Sequence, residues 1–289
     1  MSHFSEATIL KLLPYLQADQ YWQSPIEGIS IYMSQHPTTA TTYMQMPSLC
    51  LVLQGEKTVQ FGNQIMTYDQ DRYMCYGMAL PITAHITKAS TDKPYIGLMM
   101  QLNQQLLLET MMQMQSESTS APAAYFISAL ESPLANALQR LIDLVDRPAD
   151  IAFMAPLLER EIYYLLMSSP QGNILKQLAT QDSHSQQIAE ATTWMQQHFS
   201  EAVEMETLAT QVGMSISSFY QHFKRLTEMS PLQYQKSLRL LEARRKIKLR
   251  SANITHIASE VGYDSPSQFS REYKRYFEVS PKQDWLTAV

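Results

Sequence analysis

The sequence predicts an α+β protein of two domains: an N-terminal antiparallel β-sandwich or barrel with accompanying helices, then an all-α domain holding two helix-turn-helix units. Three observations carry this. Between residues 28 and 100, short runs rich in aromatic and β-branched residues alternate with Pro, Gly, Asn and Asp, as in a sandwich or small barrel. After Gln101 the pattern turns helical, and residues 205–215 recur 49 positions later at 254–264. The length of 289 residues fits two domains of about 150 residues each.

Composition bounds the class. With 45% hydrophobic and 17% charged residues the chain is neither disordered nor collagenous. No apolar run approaches the roughly 18 to 20 residues of a bilayer span, and residues 1–6 lack the basic start and apolar core of a signal peptide, so a cytoplasmic protein is expected. The net charge of −5 argues at face value against a polyanionic partner. Its distribution reverses that reading: residues 1–185 carry −7, residues 186–289 carry +2, and residues 221–250 alone carry +7. Such asymmetry points to a polyanion.

Taken in order, residues 5–17 (SEATILKLLPYLQ) place Ile9, Leu12, Leu13 and Leu16 at the spacing of a short amphipathic helix that Pro14 shortens or kinks. Strands are expected at 29–32, 49–53, 58–61, 64–68, 73–76, 84–87 and 95–100, with Gly62-Asn63 as a two-residue hairpin turn. Ser132-Pro133 reads as an N-cap followed by Pro at the first helical position, opening a helix with Leu134, Leu138, Leu141 and Val145 on one stripe. Arg147-Pro148 closes it, and a second helix spans about 153–167. The polar stretch 181–187 reads as a linker, which gives domains at 1–181 and 182–289.

Within the second domain the internal repeat reads as helix-turn-helix, at about 205–225 and 254–275. Leu208-Ala209 and Ile257-Ala258 lie on short helices where the small Ala allows a close crossing; Gly213 and Gly262 then suit a left-handed turn. Ser215, and Asp264 or Ser265, cap the following helices. After a one-residue insertion the offset becomes 50, aligning Phe219 with Phe269, Phe223 with Tyr273 and Ser230-Pro231 with Ser280-Pro281. The inner stripes are Phe219, Phe223, Leu226 and Phe269, Tyr273, Tyr276. Outward lie Ser217, Ser218, Tyr220, Gln221, Lys224 and Arg225 in the first copy, and Ser267, Gln268, Ser270, Arg271, Lys274 and Arg275 in the second. Gln and Arg make bidentate contacts with base edges, Ser bonds either kind of edge, and Lys neutralises phosphate, so a DNA major groove is the expected partner. The basic segment 231–250 fits a rigid spacer between the copies.

At these residues the chain resembles the AraC/XylS family of bacterial transcription regulators. The stretches LATQVGMSISSFYQHFKRLTEMSPLQYQKSLRLLEARRKI and ITHIASEVGYDSPSQFSREYKRYFEVSPKQ carry the likeness over about residues 188–284. The resemblance implies seven helices in which two helix-turn-helix units, joined by a long helix, enter successive major grooves. Residues 43–57 (YMQMPSLCLVLQGEK), Tyr68, Leu80-Pro81 and Lys93-Pro94-Tyr95 resemble the N-terminal domain of such regulators. That implies a cupin-like β-fold for effector sensing, followed by helices that mediate a homodimer.

Further expectations follow. Tyr43, Leu51, Phe61 and Tyr68 are candidate effector-pocket residues among the inward side chains. His36 and His85 stand alone in the β-region, without the His-x-His pair of cupin metal sites, so no metal, cofactor or catalytic residue is assigned. Cys50 and Cys75 read as buried, inert thiols. The expected partners are double-stranded promoter DNA, RNA polymerase in the case of an activator, a small-molecule effector and a second copy of the chain, with no membrane. Two alternatives stay open: a cupin-type enzyme tethered to DNA, and a constitutive DNA binder whose β-domain only dimerises.

Overall fold

Ser5 opens the first helix by accepting a bond from the Thr8 amide (3.2 Å); α1 runs over Glu6–Leu12, and Pro14 ends it in a 3-10 turn, Leu13–Tyr15. The structure, a computed structural model, describes residues 3–114, 123–180 and 183–287. The chain divides into two units, Met1–Thr41 with Gln45–Gln186, and Thr42–Met44 with Gln187–Val289.

Two antiparallel sheets form the β-region of the chain. One has six strands in the order β1 (Tyr21–Gln23), β2 (Ile29–Ser34), β9 (Tyr95–Gln101), β4 (Ser48–Gln54), β7 (Arg72–Tyr76) and β10 (Tyr125–Ala129). The other runs β3 (Thr41–Gln45), β8 (Leu80–Lys88), β5 (Glu56–Phe61), β6 (Gln64–Tyr68). Phe61 pairs with Gln64 across the Gly62-Asn63 turn, where Gly62 takes φ +53°, as the hairpin signal requires.

Register assigns each side chain to a face. Ile31, Leu98, Leu51 and Tyr73 are successive cross-strand partners in the larger sheet. They share one buried core with Leu138 and Leu141 of α3 (Ser132–Asp143) and Ile162 and Leu166 of α4 (Pro148–Ser168). Each such side chain contributes about 1.5 to 3 kcal/mol on burial. The opposite row, Ser30, Met99, Cys50 and Met74, faces away from those helices. On that side the Phe61 ring of the smaller sheet meets Tyr125 of the larger at 5.2 Å, edge to face.

Several expectations are corrected. Residues after Gln101 are not helical throughout: α2 (Gln104–Met114) is followed by strand β10, which completes the larger sheet beside β7. Strands β1 and β3 were absent from the sequence reading. The N-cap of α3 is Glu131, with no side-chain bond, and Ser132 and Pro133 fall inside the first turn. The second helix starts at Pro148 rather than 153, and a short α5 (Asn173–Ala179) follows it. Of the polar stretch read as a linker, residues 181 and 182 lie outside the described residues; 184–187 are helical, because Ser185, Ile188, Ala191 and Met195 form a buried stripe of α6 (His184–Gln197).

The second unit continues with α7 (Met205–Gln211), α8 (Ile216–Thr227), α9 (Pro231–Lys248), α10 (Ile254–Glu260), α11 (Pro266–Phe277) and α12 (Pro281–Thr287). Ser230 begins α9 with a reciprocal capping box: its Oγ accepts from the Gln233 amide (3.3 Å), while Gln233 Oε1 accepts from the Ser230 amide (2.9 Å). No helix among the described residues is long and apolar enough to cross a membrane.

Candidate nucleic-acid interface

In the first helix-turn-helix, Leu208 and Ala209 of α7 are buried, and Gly213 turns the chain with φ +73°. Ser215 Oγ then accepts from the Ser218 amide at 3.4 Å, which orients the start of α8. Phe219, Phe223 and Leu226 fill the inner face. Ser217, Gln221, Lys224 and Arg225 are exposed, whereas Ser218 and Tyr220 are half-buried. Ser217, Gln221 and Lys224 stand at the spacing that puts side chains on one helical stripe. Arg225 is engaged locally, its Nη2 lying 2.7 Å from Nδ1 of His222.

The second unit repeats the device. Gly262 takes φ +89°, Ser265 Oγ accepts from the Gln268 amide (3.3 Å), and Phe269 and Tyr273 of α11 are fully buried. Ser267, Gln268, Ser270, Arg271, Lys274 and Arg275 are all exposed. Gln268 is held in place: its Nε2 donates to Glu272 Oε1 (3.2 Å), and the same carboxylate accepts from Lys236 (2.9 Å) and the Tyr263 hydroxyl (2.9 Å). Burial works to raise the Glu272 carboxyl, but the bonds from Lys236, Gln268 and Tyr263 outweigh it and hold the group below the ordinary carboxylate range. Burial and the bond to Glu272 push the Tyr263 phenol upward.

The strongly basic α9 segment is less available than its charge implies. Lys236 pairs with Glu272, Arg245 with Glu242 and Lys246 with Glu260; Arg244 lies 2.8 Å from Asp284 and 4.4 Å from the centre of the Phe277 ring. Arg239 points its guanidinium at backbone carbonyls. Sequence reading missed Glu272 and Arg239 as organisers of this surface, since neither lies in the outward pattern of a recognition helix. By contrast Lys224, Arg271 and Lys274 make no ion pair among the described residues.

The N-terminal candidates do not all converge. Phe61 and Tyr68 are buried on one face of the smaller sheet, since Lys57 pairs with Tyr68 and Phe61 lies at alternate spacing from Lys57. Leu51 lies on the helix-facing side of the larger sheet, and Tyr43 is half-exposed on β3. A separate cleft of about 580 Å³ opens on the helical side, floored by Ile26, Leu102, Leu106 and Ala155 and flanked by Glu27 and Glu159; none of the four candidates lines it. Burial, then the nearby Glu27, raises the Glu159 carboxyl. Both cysteines are buried, which pushes their thiols up. His36 is exposed in a loop, His85 is half-buried on β8, and among the described residues no group of three or more His, Cys, Asp or Glu side chains is placed to hold a metal ion.

Residues 25–174 match the model of the AraC-type transcriptional regulator N-terminus, and residues 208–284 match a helix-turn-helix domain. The chain belongs to the AraC-type transcriptional regulators. A sequence relative of this AraC-type chain, the HTH-type transcriptional activator RhaS of Salmonella schwarzengrund, is 26% identical over 147 residues, 50% of this chain and 52% of the relative. The chain thus spans about half the length of the curated relatives it matches. Apo ToxT from Vibrio cholerae covers 92% of the chain and 100% of its own at a TM-score of 0.59 and 10% identity. ToxT bound to an unsaturated fatty acid covers 90% of this chain and 95% of its own at a TM-score of 0.56 and 11% identity. These two likenesses show a shared fold.

Proposed function

We propose that the protein is a cytoplasmic, sequence-specific DNA-binding transcription regulator whose N-terminal unit binds a small-molecule effector. One observation carries the reading: two capped helices, α8 and α11, each bury an aromatic stripe and turn Ser, Gln, Arg and Lys outward. Ser217, Gln221, Ser267, Gln268, Ser270 and Arg271 read base edges. Tyr220 and Ser218 flank the first contact, and Lys224, Arg225, Lys274 and Arg275 bind phosphates. The two segments lie about one helical turn, roughly 34 Å, apart.

Dimerisation uses α4. Phe153, Leu157 and Tyr164 are 75%, 51% and 52% exposed and stand four and seven residues apart, one apolar stripe along the helix. Contact with RNA polymerase accompanies activation. The effector carries an apolar body: the face bearing Phe61 and Tyr68 looks onto Tyr125, and Lys57 on the same face offers a cation for an acidic group. ToxT, which shares the fold, has been solved with an unsaturated fatty acid.

The decisive experiment is selection of bound duplexes from a random pool by the full chain, repeated with a long-chain unsaturated fatty acid and with a sugar panel. A recovered consensus whose affinity shifts with the fatty acid supports the reading. No consensus removes the regulator assignment, and a consensus indifferent to every small molecule leaves a constitutive binder.

A further inference from the structure

Arg239 stands mid-way along α9, in the segment whose charge suggests a phosphate-facing spacer, yet its guanidinium turns inward. Nε donates to the carbonyl of Phe199 (2.7 Å), Nη2 to that of Glu201 (2.8 Å) and Nη1 to that of Gly262 (2.8 Å). Phe199 and Glu201 belong to the loop that leads into the first helix-turn-helix; Gly262 is the turn of the second. One helical turn earlier, Gln235 Nε2 donates to the same Phe199 and Glu201 carbonyls (3.1 and 2.8 Å). Nothing separates the two loops at this point: a Cβ on Gly262 would overlap the Ser200 carbonyl oxygen and lie 2.9 Å from Arg239 Cζ.

We propose that Arg239 is the positioning residue that locks the two recognition helices to each other and so sets the separation between DNA segments that the protein accepts. The inference rests on the DNA-reading assignment. A planar guanidinium offers donors in a fixed fork, so one side chain holds carbonyls from two loops in a single geometry; an ammonium is a point donor on a flexible stem. Lys236 already ties α9 to α11 through Glu272, so Arg239 adds the link from the second reader to the 199–201 loop of the first. Readers locked in this way cannot follow a base-pair insertion, which displaces one segment by about 3.4 Å along the axis and about 34° around it.

The test uses the full chain and the duplex it selects from random DNA, in three forms: intact, with one base pair inserted between the two segments, and with one segment scrambled. Wild type is expected to lose about tenfold in affinity on insertion. Arg239→Lys, melting cooperatively like wild type, is expected to bind the scrambled duplex within about threefold of wild type and to show an insertion penalty below about threefold. A general loss of structure does not produce that split, because it weakens all three duplexes together. A folded Arg239→Lys that keeps the full penalty overturns the proposal, as does a wild type that tolerates the insertion. If Arg239→Lys does not fold, Gln235→Leu loosens the same loop; a reduced penalty supports the proposal and an unchanged one overturns it. A wild type that selects no sequence removes the DNA reading itself, an outcome distinct from tolerance of the insertion.

Discussion

Gly262 packs directly against the Ser200 carbonyl at φ +89°, with no room for a side chain, whereas at Gly213, φ +73°, the nearest atom to a built Cβ is 3.4 Å away. The two turn glycines are therefore unequal. Gly213→Ala carries only the strain of the left-handed backbone, about 1 to 2 kcal/mol. Gly262→Ala must also push backbone aside and costs more, about 3 kcal/mol or above. Urea unfolding of the two variants reads the difference; equal losses would contradict the close junction.

Arg271 and Lys224 are expected to fail differently on DNA. Arg271→Ala should cost about 1 to 3 kcal/mol and relax preference at one base position. Lys224→Ala should weaken binding evenly across sequences and flatten its dependence on salt. Competition binding against a library of single-base variants separates the two patterns, and an even loss for Arg271→Ala would refute its base-reading role.

Glu272 predicts a pH effect. Its carboxyl is held below the ordinary range in the folded state, chiefly against burial and by Lys236, Gln268 and Tyr263. The unfolded chain therefore takes up the proton first, and the stability this group gives is present above about pH 4.5 and lost as pH falls toward the folded value. Wild type should lose stability more steeply than Glu272→Gln as pH falls below about 4.5. Parallel curves from denaturant melts at stepped pH would discount the network.

Cys50 and Cys75 should resist reagents. Both thiols are buried and raised by that burial, so little thiolate exists at neutral pH. Native protein should show almost no fast reaction with a disulfide reagent, and two equivalents after unfolding. A rapid native equivalent would show one of the two thiols to be accessible and reactive.

Leu157→Glu places a charge in the exposed stripe of α4. With α4 as the proposed dimer interface, sedimentation should then show dissociation about tenfold or more readily. Unchanged assembly would move the interface elsewhere.

Much of this architecture was legible in the residues, and the omissions share a cause. Strands β1 and β10 end the larger sheet and β3 ends the smaller. Edge strands are half-exposed, so Tyr21–Gln23 and Thr41–Gln45 lack the bounded apolar and β-branched runs that revealed β4 and β5. Strand β6 is also an edge, yet its Gly62-Asn63 turn gave it away. In the second unit the repeat made caps, turns and inner stripes readable. The inward turn of Arg239 was not, because sequence records its charge but not the carbonyls that consume its donors.

Four residues separate α7 from α8, but five separate α10 from α11. The extra residue and the different outward side chains make the two readers unequal copies of one device. On the proposed DNA reading, a single protomer then meets two unlike segments, and the site it selects has a direction along the double helix. For a regulator, orientation of the site then matters as much as its distance from the gene it serves.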